Sequence, residues 1–136
     1  MAEVDRLVVL LCGPPGAGKT TAARASGLDV FDRDDPRWTS DRHFDAALSA
    51  LGRSRDARAV VIRSGATRAA RKATARQVGA THIYVILGED HARRISNRGR
   101  ADARRTVAGV RYWFDRFDGD VEEFPGWASV IPPDRW

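Results

Sequence analysis

The chain has a single cysteine, Cys12, so no disulfide framework can staple it. It is also poor in lysine, with Lys19 and Lys72 the only two among 23 basic residues. An arginine bias of this kind beside abundant alanine fits a GC-rich coding sequence as readily as an anionic partner. The net charge of +5 keeps nucleic-acid or nucleotide binding open. No apolar run approaches the length of a membrane span, and Met1–Arg6 lacks the apolar stretch of a signal peptide. A cytoplasmic, reducing-compartment protein with no membrane partner is expected, and Cys12 reads as a buried structural thiol. The three histidines, His43, His82 and His91, are scattered, and no cysteine or carboxylate cluster has metal-ligand spacing. Structural or surface roles are expected for all three.

Against these absences stands one dense feature. Gly13, Pro14, Pro15, Gly16, Ala17, Gly18, Lys19 and Thr20 spell a complete G-x-x-x-x-G-K-[ST] loop. Its glycines let the backbone adopt positive φ and approach a phosphate closely. Successive N–H groups then face the β-phosphate, aided by the start of the following helix. Lys19 is placed to reach the β- and γ-phosphates, and the Thr20 hydroxyl to take one position on Mg²⁺. The context is the required one. Leu7–Leu11 is an apolar run of buried-strand type, and Thr20–Ala25 suits a helix. With 136 residues the chain makes one domain, too short for an ordinary AAA+ or helicase motor. A small ATP-dependent kinase is the class of phosphate-loop protein that fits this length.

The rest of the chain alternates strand and helix signals. Gly27 ends the first helix, and Leu28–Phe31 reads as a short second strand running into Asp32, Arg33, Asp34, Asp35 and the turn residue Pro36. Asp41 is expected to cap a helix to about Leu51 with Phe44, Ala47, Leu48 and Leu51 on one face, closed by Gly52. Ala59–Ile62 is the third strand, and Thr67 starts a helix to Val78 that ends at Gly79. His82–Leu87 is the fourth strand. An Arg-rich stretch from Arg93 to Arg105 follows, then a helix carrying Val107, Val110, Phe114 and Phe117, a turn at Pro125 and Gly126, and a fifth, edge strand at Ala128–Ile131. The expected fold class is α/β, a P-loop NTPase with a parallel sheet of about five strands, helices on both faces and the kinase-type strand order 2-3-1-4-5. Residues 1–136 form a single domain with an Arg-rich lid at about 89–105.

Ligands of such sheets bind beyond the carboxyl ends of the strands. Phosphoryl transfer to a hydroxyl needs cations around the moving group and a carboxylate to orient and deprotonate the nucleophile. Asp34, just past strand two, is the first choice for that base, with Asp32 and Asp35 as competitors. Arg37 lies close enough to hold a phosphate of the acceptor. Trp38 either stacks on a base or covers the sheet edge. Arg94 and Arg98, four residues apart, can share a helical face in the lid and clamp phosphate oxygens, with Gly99 as a hinge.

The loop, the run Phe31-Asp32-Arg33-Asp34-Asp35-Pro36-Arg37, the strand Val60-Val61-Ile62 with its following Arg-rich helix, and Ile95-Ser96-Asn97-Arg98-Gly99 resemble the kinase domain of bacteriophage polynucleotide 5′-hydroxyl kinase. The likeness spans about residues 6–117 in the same order. It implies that Lys19 and Thr20 bind ATP and Mg²⁺, that Asp34 is the general base, that Arg37 holds the acceptor phosphate and that Arg98 bridges phosphates in the transition state. Two departures stand out. The family usually carries an acid just after strand three, where this chain has Arg63, Ser64 and Gly65, so a second metal-side carboxylate falls to Asp32. Phe117-Asp118-Gly119-Asp120 is not a phosphatase nucleophile motif, so a kinase without a phosphatase is expected. The acceptor implied is a polynucleotide 5′-OH on DNA or RNA. The alternatives are a hydroxymethylated base in phage DNA, a small-molecule acceptor, or a nucleotide-binding regulatory protein with weak ATPase activity. Trp127 and Trp136 either pack on the core or form an interface, and the sequence carries no sign of oligomeric state.

Overall fold

A computed structural model describes residues 6–88 and 100–131, the side chains of residues 100–106 excepted. The strands are β1 Leu7–Cys12, β2 Asp29–Phe31, β3 Arg58–Arg63, β4 His82–Val85 and β5 Glu122–Glu123. The helices are α1 Lys19–Ala25, α2 Asp41–Arg53, α3 Arg68–Val78, α4 Arg100–Arg116 and α5 Trp127–Val130. All strand pairs are parallel, and the sheet order is β2-β3-β1-β4-β5.

Every residue of β1 is buried, because this central strand is covered on both faces. Alternation along the strand divides the core in two. Val8, Leu10 and Cys12 join Phe44, Leu48 and Leu51 of α2 and Val78 of α3. Leu7, Val9 and Leu11 join Ala23 of α1 with Val130 and Ile131 at the end of α5. Among the described residues no helix is long and apolar enough to cross a membrane.

Several boundaries differ from the sequence expectation, each for a local reason. Helix α2 is capped by Ser40, whose hydroxyl accepts from the His43 N–H, and Asp41 is its first residue. It also runs through Gly52 to Arg53. A Cβ at Gly52 would collide with the Gln77 carbonyl of α3, so this glycine permits close helix packing instead of ending a helix. In α3, Thr67 caps through Ala70 N at 3.2 Å and Gly79 closes in the left-handed conformation, as expected. Strand β4 stops at Val85, where its partner β1 turns into the phosphate loop.

The fifth strand is Glu122–Glu123 and not Ala128–Ile131, which instead lies largely in α5. A short helix lets Val130 and Ile131 face the Leu7–Leu11 side of the sheet, while the Trp127 indole N–H donates to Ala22 O at 2.7 Å. Trp127 therefore packs on the core. Helix α4 buries Trp113, while Val107 is exposed.

Candidate functional site

The phosphate loop leaves β1 at Cys12 and enters α1 at Lys19. Gly16 (φ 73°) and Gly18 (φ 94°) take left-handed backbone that a side chain would strain, which lets the loop coil around an open concavity. Pro15, Gly16, Ala17, Gly18, Lys19 and Thr20 line a cavity of about 670 Å³. Gly13 and Pro14 lie buried beneath it. The opposite wall comes from the carboxyl ends of β2 and β3, with Asp32, Arg33, Asp34, Ile62, Arg63 and Ser64. This is the strand-end crevice where open α/β sheets place ligands.

The Lys19 ammonium donates to the Gly13 carbonyl, which holds its stem along the loop. Burial lowers its pKa from the ordinary lysine value, against the opposing pull of Cys12, Asp32 and Asp34. A partly desolvated cation of this kind gains most from an incoming phosphate. Cys12, just below, is fully buried, and burial pushes its thiol up to about 11 despite Arg71, Lys19 and Arg63 nearby. The thiol is a core atom whose burial disfavours the reactive thiolate.

Thr20 Oγ1 donates to Asp32 Oδ2 at 2.9 Å, and Asp32 Oδ1 accepts from Asp34 N at 3.1 Å. Asp32 thus orients the threonine hydroxyl and shapes the turn that carries Asp34. The Asp34 carboxylate lines the same cavity as Lys19 and has no ion pair among the described residues. A hydroxyl and a carboxylate in contact suit Mg²⁺, a hard cation held by few protein oxygens plus phosphates and water. Among the described residues no cluster of three or more His, Cys, Asp or Glu could hold a metal by itself.

Arg37 and Trp38 sit outside the cavity. The Arg37 guanidinium donates to the Val30 carbonyl, lies 3.7 Å from both Asp29 and Asp35, and stands 4.4 Å from the Trp38 ring centroid. Trp38 packs against Phe31, His43 and Phe44 at 5.8, 5.1 and 5.3 Å, covering the β2 edge of the sheet. Both side chains brace the turn that presents Asp34. Arg94 and Arg98 lie outside the described residues, as does His91.

Three features of the site escaped sequence reading. Arg33 and Arg63, at the ends of β2 and β3, supply the cationic wall opposite the loop. The Ser64 carbonyl accepts from Gly13 N at 3.1 Å and from Trp113 Nε1 at 2.7 Å, tying the loop to α4. Buried Arg71 donates to the carbonyls of Gly65, Ala66 and Asp118, pinning the β3–α3 loop to the end of α4. The one available signal, for Arg71, was its helical phase with Ala75 and Val78 on the inner face of α3.

No protein-family model and no curated protein matches the sequence. Among solved structures the chain is similar to a gluconokinase from Sinorhizobium meliloti 1021, with a TM-score of 0.56 and 17% identity over 85% of this chain and 78% of that one. It is also similar to a sugar kinase from Janibacter sp. HTCC2649, with a TM-score of 0.50 and 17% identity over 88% of this chain and 84% of that one. At such identity the likeness shows the fold alone: a five-stranded parallel P-loop kinase fold of order 2-3-1-4-5.

Proposed function

We propose that the chain is an ATP-dependent phosphotransferase that moves the γ-phosphoryl group to a hydroxyl, most simply the 5′-OH of a polynucleotide. One observation carries the transfer reading. The Asp34 carboxylate shares a cavity with Lys19 and Thr20, on a turn that Asp32 holds in place. The acceptor hydroxyl gives its proton to Asp34 as its oxygen bonds to the γ-phosphorus. The bond from that phosphorus to the β–γ bridging oxygen breaks, and ADP leaves with the electron pair. Lys19 and the loop N–H groups hold the phosphates through the change, a task for which the sequence also offers Arg94 and Arg98, outside the described residues. Thr20, with Asp32 behind it, would hold Mg²⁺, which supplies charge neutralisation at the β- and γ-oxygens.

The polynucleotide acceptor is supported by the order Asp32-Arg33-Asp34-Asp35-Pro36-Arg37 and by the net charge of +5. A second reading, a small hydroxyl acceptor, is favoured by the two similarly folded kinases and by the engagement of Arg37 with β2. Incubation with γ-labelled ATP, Mg²⁺ and oligonucleotides ending in 5′-OH or 5′-phosphate tests both, with gluconate as the small acceptor. Label on 5′-OH ends alone is expected. Label on gluconate alone selects the second reading. ATP binding with no label on any acceptor overturns the transferase reading and leaves a nucleotide-binding protein.

A further inference from the structure

On the α2 side of the phosphate-loop cavity lies a second cavity of about 550 Å³. Arg33 and Arg63 border both, so an arginine pair forms the wall between donor side and second chamber. The second chamber also presents Arg42, Asp41, Asp45 and the ring of Phe44. Its two carboxylates are already engaged. Asp41 Oδ1 accepts from Arg33 Nε at 2.7 Å, and Asp45 Oδ1 accepts from Gln77 Nε2 of α3 at 2.8 Å. Arg42 and Arg63 have no ion pair among the described residues. The Arg63 guanidinium stands 5.5 Å from the Phe44 ring centroid, which orients it on an apolar platform.

Arg63 also occupies a telling place on the sheet. It is the last residue of β3, in register with Cys12 where β1 becomes the phosphate loop. A guanidinium there reaches toward whatever lies between the loop and α2. Its planar fork matches a phosphate or carboxylate, and the low-dielectric ring beneath strengthens that pairing.

We propose that Arg63 is a specificity-determining residue: it holds an oxyanion of the acceptor in the α2-side cavity, with Arg42 beside it, while the acceptor hydroxyl enters the neighbouring cavity toward Asp34. The proposal rests on the phosphotransferase reading for its second half only. The shared chemistry is an acceptor that carries both a hydroxyl and an oxyanion. The oxyanion comes either from the 3′-phosphate of a terminal nucleotide or from the carboxylate of a sugar acid.

Calorimetric titration tests this on the full chain with Mg²⁺. ADP is titrated first, then two matched pairs of probes: thymidine 3′-monophosphate against thymidine, and gluconate against glucitol. At least one anionic member binds about 10-fold or more tightly than its neutral partner, and which one identifies the source. Arg63→Ala and Arg63→Gln remove that preference. Arg55→Ala, which removes the same charge from the loop between α2 and β3, leaves the preference intact. The proposal is overturned if neither anion outbinds its neutral partner, or if the preference survives both Arg63 variants. Failure of the phosphotransferase reading has a separate signature, ATP bound with no label on any acceptor in the γ-labelled assay, and the anion arms still report on Arg63 in that case.

Discussion

At the amino ends of the strands, Arg6 donates to the carbonyls of Leu51, Ser54, Val78 and Gly79, gathering the C-terminal ends of α2 and α3 under the sheet. At the carboxyl ends, Arg63 is exposed, borders two cavities and has no ion pair among the described residues. Arg6 immediately precedes β1, and Arg63 ends its neighbour β3. One donates to carbonyls at the ends of two helices, where the backbone offers few donors. The other, with Lys19 and Asp34, leaves charge unsatisfied until a ligand supplies the partner. On the proposed function, the same sheet concentrates stability at one end and binding at the other. Substitutions at the two ends should separate cleanly into stability effects and ligand effects.

The largest separation is expected at Lys19. Lys19→Met should cut phosphoryl transfer by about 10³-fold, as for loss of a donor at developing charge, and weaken ATP binding. Because burial disfavours its charged form, removing it should leave the melting temperature unchanged or higher. Thermal scans beside transfer assays check both halves, and a melting temperature that falls sharply would erase the distinction between the ends.

Arg6→Ala should do the reverse. Four carbonyls lose a charged donor, and a cost of about 3 kcal/mol follows, with ATP affinity unchanged. Cys12 offers a built-in reporter, since its buried thiol stays protonated well above the ordinary range. Alkylation at pH 8.5 therefore proceeds through opened molecules and should accelerate about 10²-fold in Arg6→Ala. Unchanged alkylation would show that Arg6 leaves the stability of the fold untouched.

Asp34→Asn comes next, with about a 10²-fold loss of transfer, ATP binding retained and alkylation of Cys12 unaltered. Asp32→Asn tells the two carboxylates apart. Asp32 faces Thr20, so its loss should raise the Mg²⁺ concentration needed for activity. If Asp34→Asn keeps full activity while Asp32→Asn abolishes it at saturating Mg²⁺, Asp32 is the base.

The contrast between the ends also explains what the sequence disclosed. The phosphate loop and the buried strands are contiguous, and their residue types follow from local backbone and two-faced burial, so they could be read directly. Where local pattern and tertiary context disagree, reading failed. Ala128–Ile131 is apolar enough for a strand, yet packing of Trp127 and Val130 on β1's outer face makes it mostly helix. Glu122–Glu123, two exposed acids, is a strand solely because it lies against Tyr84 and Val85. In the site, Lys19, Thr20 and the acidic turn were visible because they flank one short segment. The cationic wall of Arg33 and Arg63 was not, since the strand-end rule brings those segments beside the loop without saying which side chains face it.

The smallest predicted effect asks whether the two ends are mechanically separate or joined through α4. Trp113 Nε1 and Gly13 N converge on one acceptor, the Ser64 carbonyl, and Trp113 stacks on Phe117 at 4.7 Å. Trp113→Phe removes the indole donor but keeps an aromatic ring, and Ser64 O retains the Gly13 N–H. A stability loss of about 1 kcal/mol is expected, the net worth of one hydrogen bond. If the loop is held mainly by its own glycine geometry and by β1, ATP affinity should change by less than about 3-fold, because one remaining donor still fixes the carbonyl. A weakening beyond about tenfold would mean that α4 sets the loop's shape through Ser64. The binding end would then depend on a buried scaffold contact as much as Arg6's end does, and the division between stability and ligand effects would fail at this position.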